Sequence, residues 1–254
     1  MSQHLQRRLP LAVAVAAAGV IVSGLASAPA VARDAAVRVG CAPGSTQVMR
    51  FNQLSYTAKV LRSLNARWTL TSQASKRFER RNVNGVATVF GVLASRVDRS
   101  CRATHYKVQL PIRPNGATGW VRAVDVRLST VHTRIEVDLS QRRITLFRDG
   151  RPVLVTSAVI GAPSTPTPTG RFYVNQRLLA ANPTGDFGPG AVGISAFSPV
   201  LLNWPQGGPI AIHGTNAPDM IGFAVSHGCL RVRNVDARRL LRLAVEGTPV
   251  EIRE

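Results

Sequence analysis

Short stretches in which apolar and polar residues alternate recur along this chain, and a period of two is the mark of a half-buried β-strand. Val131 to Asp138 alternates in this way, and Ile144-Thr145-Leu146-Phe147 resumes extended structure. Arg148-Asp149-Gly150-Arg151 then reads as a hairpin turn, because an Asp-Gly pair tolerates the positive φ that a tight hairpin needs. Pro152 to Ile160 is the return strand, ended by Gly161. Val86–Ala94, Tyr106–Ile112, Gly119–Arg122, Phe172–Val174 and Pro209–Ile212 read as further strands, and Pro114-Asn115-Gly116 as a turn. Only one stretch has helical spacing. Ala237, Leu240, Leu241 and Ala244 fall at i, i+3, i+4 and i+7, so one face is buried. Asn234 is placed to cap that helix, Asp236 suits its positive end, and Gly247-Thr248-Pro249 stops it. The pattern predicts a mainly β protein with one or two short helices.

Between these elements lie two unusual loops. Residues 163–170 alternate Pro and Thr, which cannot supply a regular ladder of N–H donors, and this predicts a rigid loop. Residues 182–193 hold four glycines and two prolines. They read either as a flap over a groove or as a surface loop without a role. Trp204 and Pro205, just before the 209–212 run, are candidates to line the same groove.

The N-terminus changes the compartment. Arg7 and Arg8, an apolar run from Leu9 to about Leu25, and Ala30-Val31-Ala32 have the form of a secretory signal over 1–32. That run is short for a bilayer span of about 20 residues, so cleavage with no stable membrane span is expected. The product is secreted to the cell envelope, periplasm or wall. In an oxidising compartment Cys41 and Cys101 are a plausible disulfide, which leaves Cys229 as the odd thiol.

Charge alters the picture less than its size suggests. Lys plus Arg number 32 against 13 acids, a formal +19. Lysine occurs only at Lys59, Lys76 and Lys107, and the arginines are scattered. No basic run is interleaved with aromatics, so nucleic acid is not the expected partner. Arginine over lysine, with abundant Ala and Val, fits a GC-rich coding sequence. An apolar content of 45% supports a packed core.

The candidate chemistry sits in Ile212-His213-Gly214-Thr215-Asn216 and, after a loop, Ser226-His227-Gly228-Cys229-Leu230-Arg231. A thiol attacks only as thiolate, and at a free pKa of about 8.5 little is ionised near neutrality. A neighbouring imidazole can take the proton, so Cys plus His is a minimal nucleophile and base. Gly228 allows a sharp turn that aims backbone N–H groups at an oxyanion. His227, two residues away on an extended backbone, and His213, at a strand end, both qualify as the base, and spacing does not choose. A zinc site is not expected, since a fourth ligand is missing.

HGTN followed by SHGCLRVRN resembles the signature of the L,D-transpeptidase catalytic domain, the YkuD family. Ile135 to Phe147 resembles that domain's opening hairpin, Ser164 to Gly170 its TPTG turn, and Gly247 to Ile252 its last strand. The resemblance covers about residues 130–253. It implies an L,D-transpeptidase-type β-sandwich over 130–254, and a peptidoglycan enzyme that needs no cofactor. Cys229 is then the nucleophile and His213 the proton donor and acceptor. Gly214 steadies the imidazole, the N–H groups of Gly228 and Cys229 form the oxyanion hole, and Ser226 and His227 shape the nucleophile loop. Arg231, Thr215 and Asn216 are the expected substrate contacts; for Arg231 a structural ion pair is the alternative. The implied partners are peptidoglycan stem peptides and carbapenem-type inhibitors. The stretch YKVQLPIRPNGATGWVRAVDV resembles part of a bacterial SH3-like domain, which suggests a small all-β domain over 51–128, joined to the leader by a tether over 33–50. Two rivals remain at this stage: a hydrolase using the same thioester, and a non-catalytic wall-binding protein.

Overall fold

The structure, a computed structural model, describes residues 41–49 and 54–254. The expected signal segment 1–32, the tether residues 33–40 and residues 50–53 lie outside the described residues. The first sheet contains β1 (Thr46–Val48), β2 (Ser55–Val60), β3 (Leu64–Arg67), β4 (Ser75–Phe78), β5 (Val89–Val97), β6 (Ala103–Gln109), β7 (Thr118–Arg122) and β8 (Val126–Val131). Its order is β4-β3-β7-β6-β5-β2-β8, and β1 pairs with β5. The rest of the chain forms β9 (Thr133–Asp138), β10 (Arg143–Arg148), β11 (Arg151–Ser157), β12 (Ile160–Gly161), β13 (Gly170–Leu179), β14 (Gly190–Phe197), β15 (Pro209–His213), β16 (Ala224–Ser226), β17 (Leu230–Arg231), α1 (Asn234–Leu243) and β18 (Pro249–Arg253). Eight of these strands make the second sheet, in the order β11-β10-β9-β18-β13-β14-β15-β17, while β12 pairs with β16.

The alternation read from the sequence is the burial pattern of β9: Ile135 and Val137 are fully buried, Arg134 and Glu136 are not. Asp149 and Gly150 take φ of 50° and 78°, as the Asp-Gly hairpin requires. β18 closes the sheet centre, parallel to β9 and antiparallel to β13. Ile135, Ile144, Leu146, Ile194, Ile212 and Leu240 belong to one core, and α1 lays Ala237 and Leu240 against it, with Ala244 just past its end. A second core around Phe90, Val108 and Leu110 fills the first sheet's lobe. The protein is thus mainly β with one α-helix among the described residues.

Several expectations are corrected. Residues 41–49 are not a tether: β1 is hydrogen-bonded to β5, and Cys41 is bridged to Cys101 with Cα atoms 6.1 Å apart. The strand expected over Val86–Ala94 begins at Val89, because residues 82–88 close a turn through Asn82 N–H to Val86 O. The return strand to Ile160 breaks after Ser157, where Ala158 turns its N–H to Arg142 O. Residues 190–193 belong to β14, so the glycine-rich loop is shorter than expected. Asn234 is the first residue of α1 and makes no capping bond; its side chain points away from the helix, and the helix ends at Leu243, before Gly247.

Candidate active site

Parallel pairing of β15 with β17 solves the problem of bringing together two groups separated in sequence. Ile212 pairs with Leu230 and His213 with Arg231, so the end of β15 and the start of β17 lie side by side. Cys229 immediately precedes β17 and His213 ends β15. The Val232 N–H donates to His213 O at 2.9 Å and fastens the crossing.

The turn before the thiol is held by hydroxyls. Ser226 Oγ donates to Cys229 O at 2.6 Å and accepts from the Gly228 N–H at 3.1 Å. Gly228 has φ +107°, which L side chains rarely adopt, and a Cβ there would meet Ile210 Cδ1 at 3.0 Å. The Pro/Thr loop is the clamp on this turn. Thr167 Oγ1 donates to Gly228 O and accepts from the Gly161 N–H, both at 2.9 Å, and Thr165 Oγ1 donates to Ser226 O at 2.8 Å. The alternation of Pro and Thr predicts the rigidity of that loop but not what its hydroxyls hold. The Gly228 N–H, expected in the oxyanion hole, is spent on Ser226.

His213 is only 5% exposed. Its Nδ1–H donates to Gly214 O at 2.6 Å, since a carbonyl can only accept, so in the neutral ring Nε2 is the basic nitrogen. The ring of Phe187 packs against it, centroids 4.8 Å apart. Burial lowers the imidazole pKa to about 4, against the Gly214 bond that raises it; the Arg231 charge lowers it and the Asp186 carboxylate raises it. Burial pushes the Cys229 thiol up, opposed by a hydrogen bond from the Ala211 backbone and by the Arg231 charge. Both shifts favour uncharged forms, so the resting pair is a neutral thiol and a neutral imidazole. His227 is exposed and stacks on Trp204, with centroids 5.4 Å apart. It belongs to the rim, which leaves His213 as the anchored candidate for the base.

A cavity of about 500 Å³ joins Cys229, His213, His227, Trp204, Asn216 and Arg231. The Arg231 backbone exchanges two hydrogen bonds with Val159, at 2.8 and 3.1 Å. Its guanidinium has no hydrogen-bond or ion-pair partner among the described residues, so the structural ion pair is absent there. Asn216 lines the cavity and donates from Nδ2 to Asp186 Oδ1 at 2.7 Å. Thr215, expected as a substrate contact, is buried outside the lining. Its N–H donates to Asn234 Oδ1 at 2.8 Å, and its Oγ1 accepts from the Ala217 N–H at 3.0 Å. Gly214 is required by crowding: a Cβ would overlap Asn234 Oδ1 and lie 2.6 Å from Pro189 Cδ. Among the described residues no three His, Cys, Asp or Glu side chains converge as a metal site.

The site therefore brings a free thiol, an oriented imidazole and an unpaired cation into one cleft. A family model of the L,D-transpeptidase catalytic domain (YkuD) matches residues 132–252. A putative L,D-transpeptidase YkuD of Bacillus subtilis is 36% identical over 123 residues, 48% of this chain and 67% of that protein. The catalytic domain of the Enterococcus faecium L,D-transpeptidase acylated by ertapenem is 30% identical, with a TM-score of 0.37; the match covers 48% of this chain and 96% of that one. A crystal structure of the E. faecium L,D-transpeptidase is 28% identical, with a TM-score of 0.36, and the chain spans about half its length, 49%. The chain belongs to the L,D-transpeptidase (YkuD) family.

Proposed function

We propose that this protein is a secreted L,D-transpeptidase that remodels peptidoglycan. Its substrate is a peptide stem in which a diaminopimelate-type residue precedes a terminal D-alanine. Cys229 Sγ attacks the carbonyl between them, while His213 Nε2 takes the thiol proton. The C–N bond breaks, the same imidazole protonates the leaving amine, and D-alanine departs from a thioester. An amine of a second stem then attacks the thioester and restores the thiol as the cross-link forms. With the Gly228 N–H occupied, the N–H of the nucleophile's own residue, Cys229, is the oxyanion donor of this reading. Arg231 is free to take a substrate carboxylate through a two-pronged charge-assisted bond.

One observation carries this reading: the Nδ1–H···O=C bond of His213 fixes the tautomer whose Nε2 is a base, in the same cavity as a thiol that burial pushes toward its protonated form. The test is to incubate the protein with a tetrapeptide stem ending in D-alanine, with and without an added stem amine, and to analyse products by mass spectrometry. D-alanine release with a cross-linked product is expected, and neither from Cys229→Ala. Release with hydrolysed stem alone would make it a hydrolase, and no release from folded protein would refute the reading.

A further inference from the structure

One wall of the active cavity is a segment that its own lobe holds weakly. Ser198, Leu201, Trp204 and Gly208 line the cavity, and all lie between β14 and β15. The segment is closed at its neck by the Ser198 N–H to Gly208 O, 2.8 Å, and contains no regular element beyond a single 3-10 turn, Pro205–Gly207. It buries little: Val200, Leu202 and Trp204 are 49, 60 and 49% exposed. Loops with few buried apolar contacts open at low free energy unless something ties them.

Apart from its own turn bonds, in which Ser198 Oγ accepts from the Val200 and Leu201 N–H groups, and the stack of Trp204 on His227, the segment's ties come from the first sheet's lobe. Arg113 Nη2 donates to Ser198 O at 2.6 Å and to Gly207 O at 2.8 Å, bridging the two sides of the neck. Its guanidinium lies 5.5 Å from the centre of the Phe197 ring. Asn115 brackets the Phe197 backbone, donating from Nδ2 to its O at 2.8 Å and accepting its N–H at Oδ1 at 2.9 Å. Gln206 Nε2 donates to Asn84 Oδ1 at 3.2 Å. Arg113 and Asn115 are exposed, and Arg113 has no carboxylate partner among the described residues. These two side chains spend their donors on the wall of another lobe's cavity.

We propose that Arg113 and Asn115 are positioning residues for the candidate active site, seating the 197–208 wall and with it Trp204 over His227. They act on how the cavity grips its acyl donor, and leave the chemistry at Cys229 alone. The kinetic part rests on the transpeptidase reading; the bracing part does not.

Arg113→Ala and Asn115→Ala test it in the full chain, with two variants guarding against a folding defect in one. Hydrogen exchange followed by mass spectrometry reads the brace without substrate. Amides in 197–208 are expected to exchange at least about ten-fold faster while those of α1 keep their protection. Equal exchange in 197–208, or a uniform loss that includes α1, overturns the proposal. With the stem peptide, KM is expected to rise about five-fold or more with kcat within about two-fold. Alkylation of Cys229 by iodoacetamide, which needs no grip on a peptide, is expected to keep its rate. A fall in kcat at constant KM, or slowed alkylation, overturns it. If wild type does not turn over the stem, the transpeptidase reading fails and the exchange result still decides the brace.

Discussion

A buried imidazole whose pKa falls from 6.5 to about 4 gives the fold a pH dependence of known sign. Between those values the unfolded chain takes a proton on His213 that the folded chain refuses. Folding is therefore unpenalised above pH 6.5, and stability is lost as pH falls through 6.5 toward 4, by roughly 2 to 3 kcal/mol from this group. His213→Gln should flatten that part of the curve, read as the difference in urea unfolding free energy between pH 7 and 4.5 in the two proteins. An identical slope would mean that His213 titrates freely. Arg231 lowers both the His213 and the Cys229 pKa. Arg231→Ala should move the pH profile of Cys229 alkylation to higher pH, and an unmoved profile would place that charge elsewhere. At this scale the sequence was readable where chemistry and glycine context are contiguous, at Ser226-His227-Gly228-Cys229 and His213-Gly214. The fate of single N–H groups was not. Whether Gly228 donates to a substrate or to Ser226 depends on a rotamer, and Thr215 is claimed by an asparagine 19 residues on.

Asn234 shows how an element can be foreseen and its end misread. A polar residue before an amphipathic run suggests a cap, and the run does form α1. The side chain instead faces the loop after β15, where its Oδ1 accepts the Thr215 N–H and the glycines at 188 and 214 leave it room. Asn234→Ala would leave that N–H unpaired beside a residue only 3% exposed, at a cost of about 1–3 kcal/mol in urea unfolding. Asn234→Ser, a good capping residue, should not restore the loss. Full recovery with serine would mean that helix capping was the role after all. Strands with clean alternation were legible, as β9 and the β10–β11 hairpin show. β3 and β8, short and mixed in polarity, were not, because they pair with β7 and β2 far along the chain, and β4 is almost wholly exposed and carries no apolar alternation.

For the whole molecule, the contact between the two sheets was invisible in the sequence. Beside the Arg113 and Asn115 bonds, it is made by Tyr173, whose OH donates to Val89 O at 3.1 Å while Gly91 packs under its ring, by Gln109 Nε2 donating to Arg171 O at 2.7 Å, and by Asn82 and Asn84 Nδ2 donating to Gln176 Oε1 at 2.8 and 3.0 Å. Nothing in the composition separates such residues from any other surface polar group. The secretory leader together with three cysteines, by contrast, was enough to expect the Cys41–Cys101 bridge and a free Cys229. That bridge closes a loop across a separation of 60 residues and should contribute roughly 4 kcal/mol through the unfolded chain. The double variant Cys41→Ala/Cys101→Ala should unfold at correspondingly lower urea, with Cys229 alkylation unchanged. Equal stability would mean that the bridge constrains nothing.

If Cys229 is an acylatable nucleophile served by His213, intact mass after incubation with a carbapenem will show it. Wild type should gain one adduct, His213→Gln the same adduct far more slowly, and Cys229→Ala none. A folded wild type that stays at its own mass, or an adduct that survives Cys229→Ala, would contradict it.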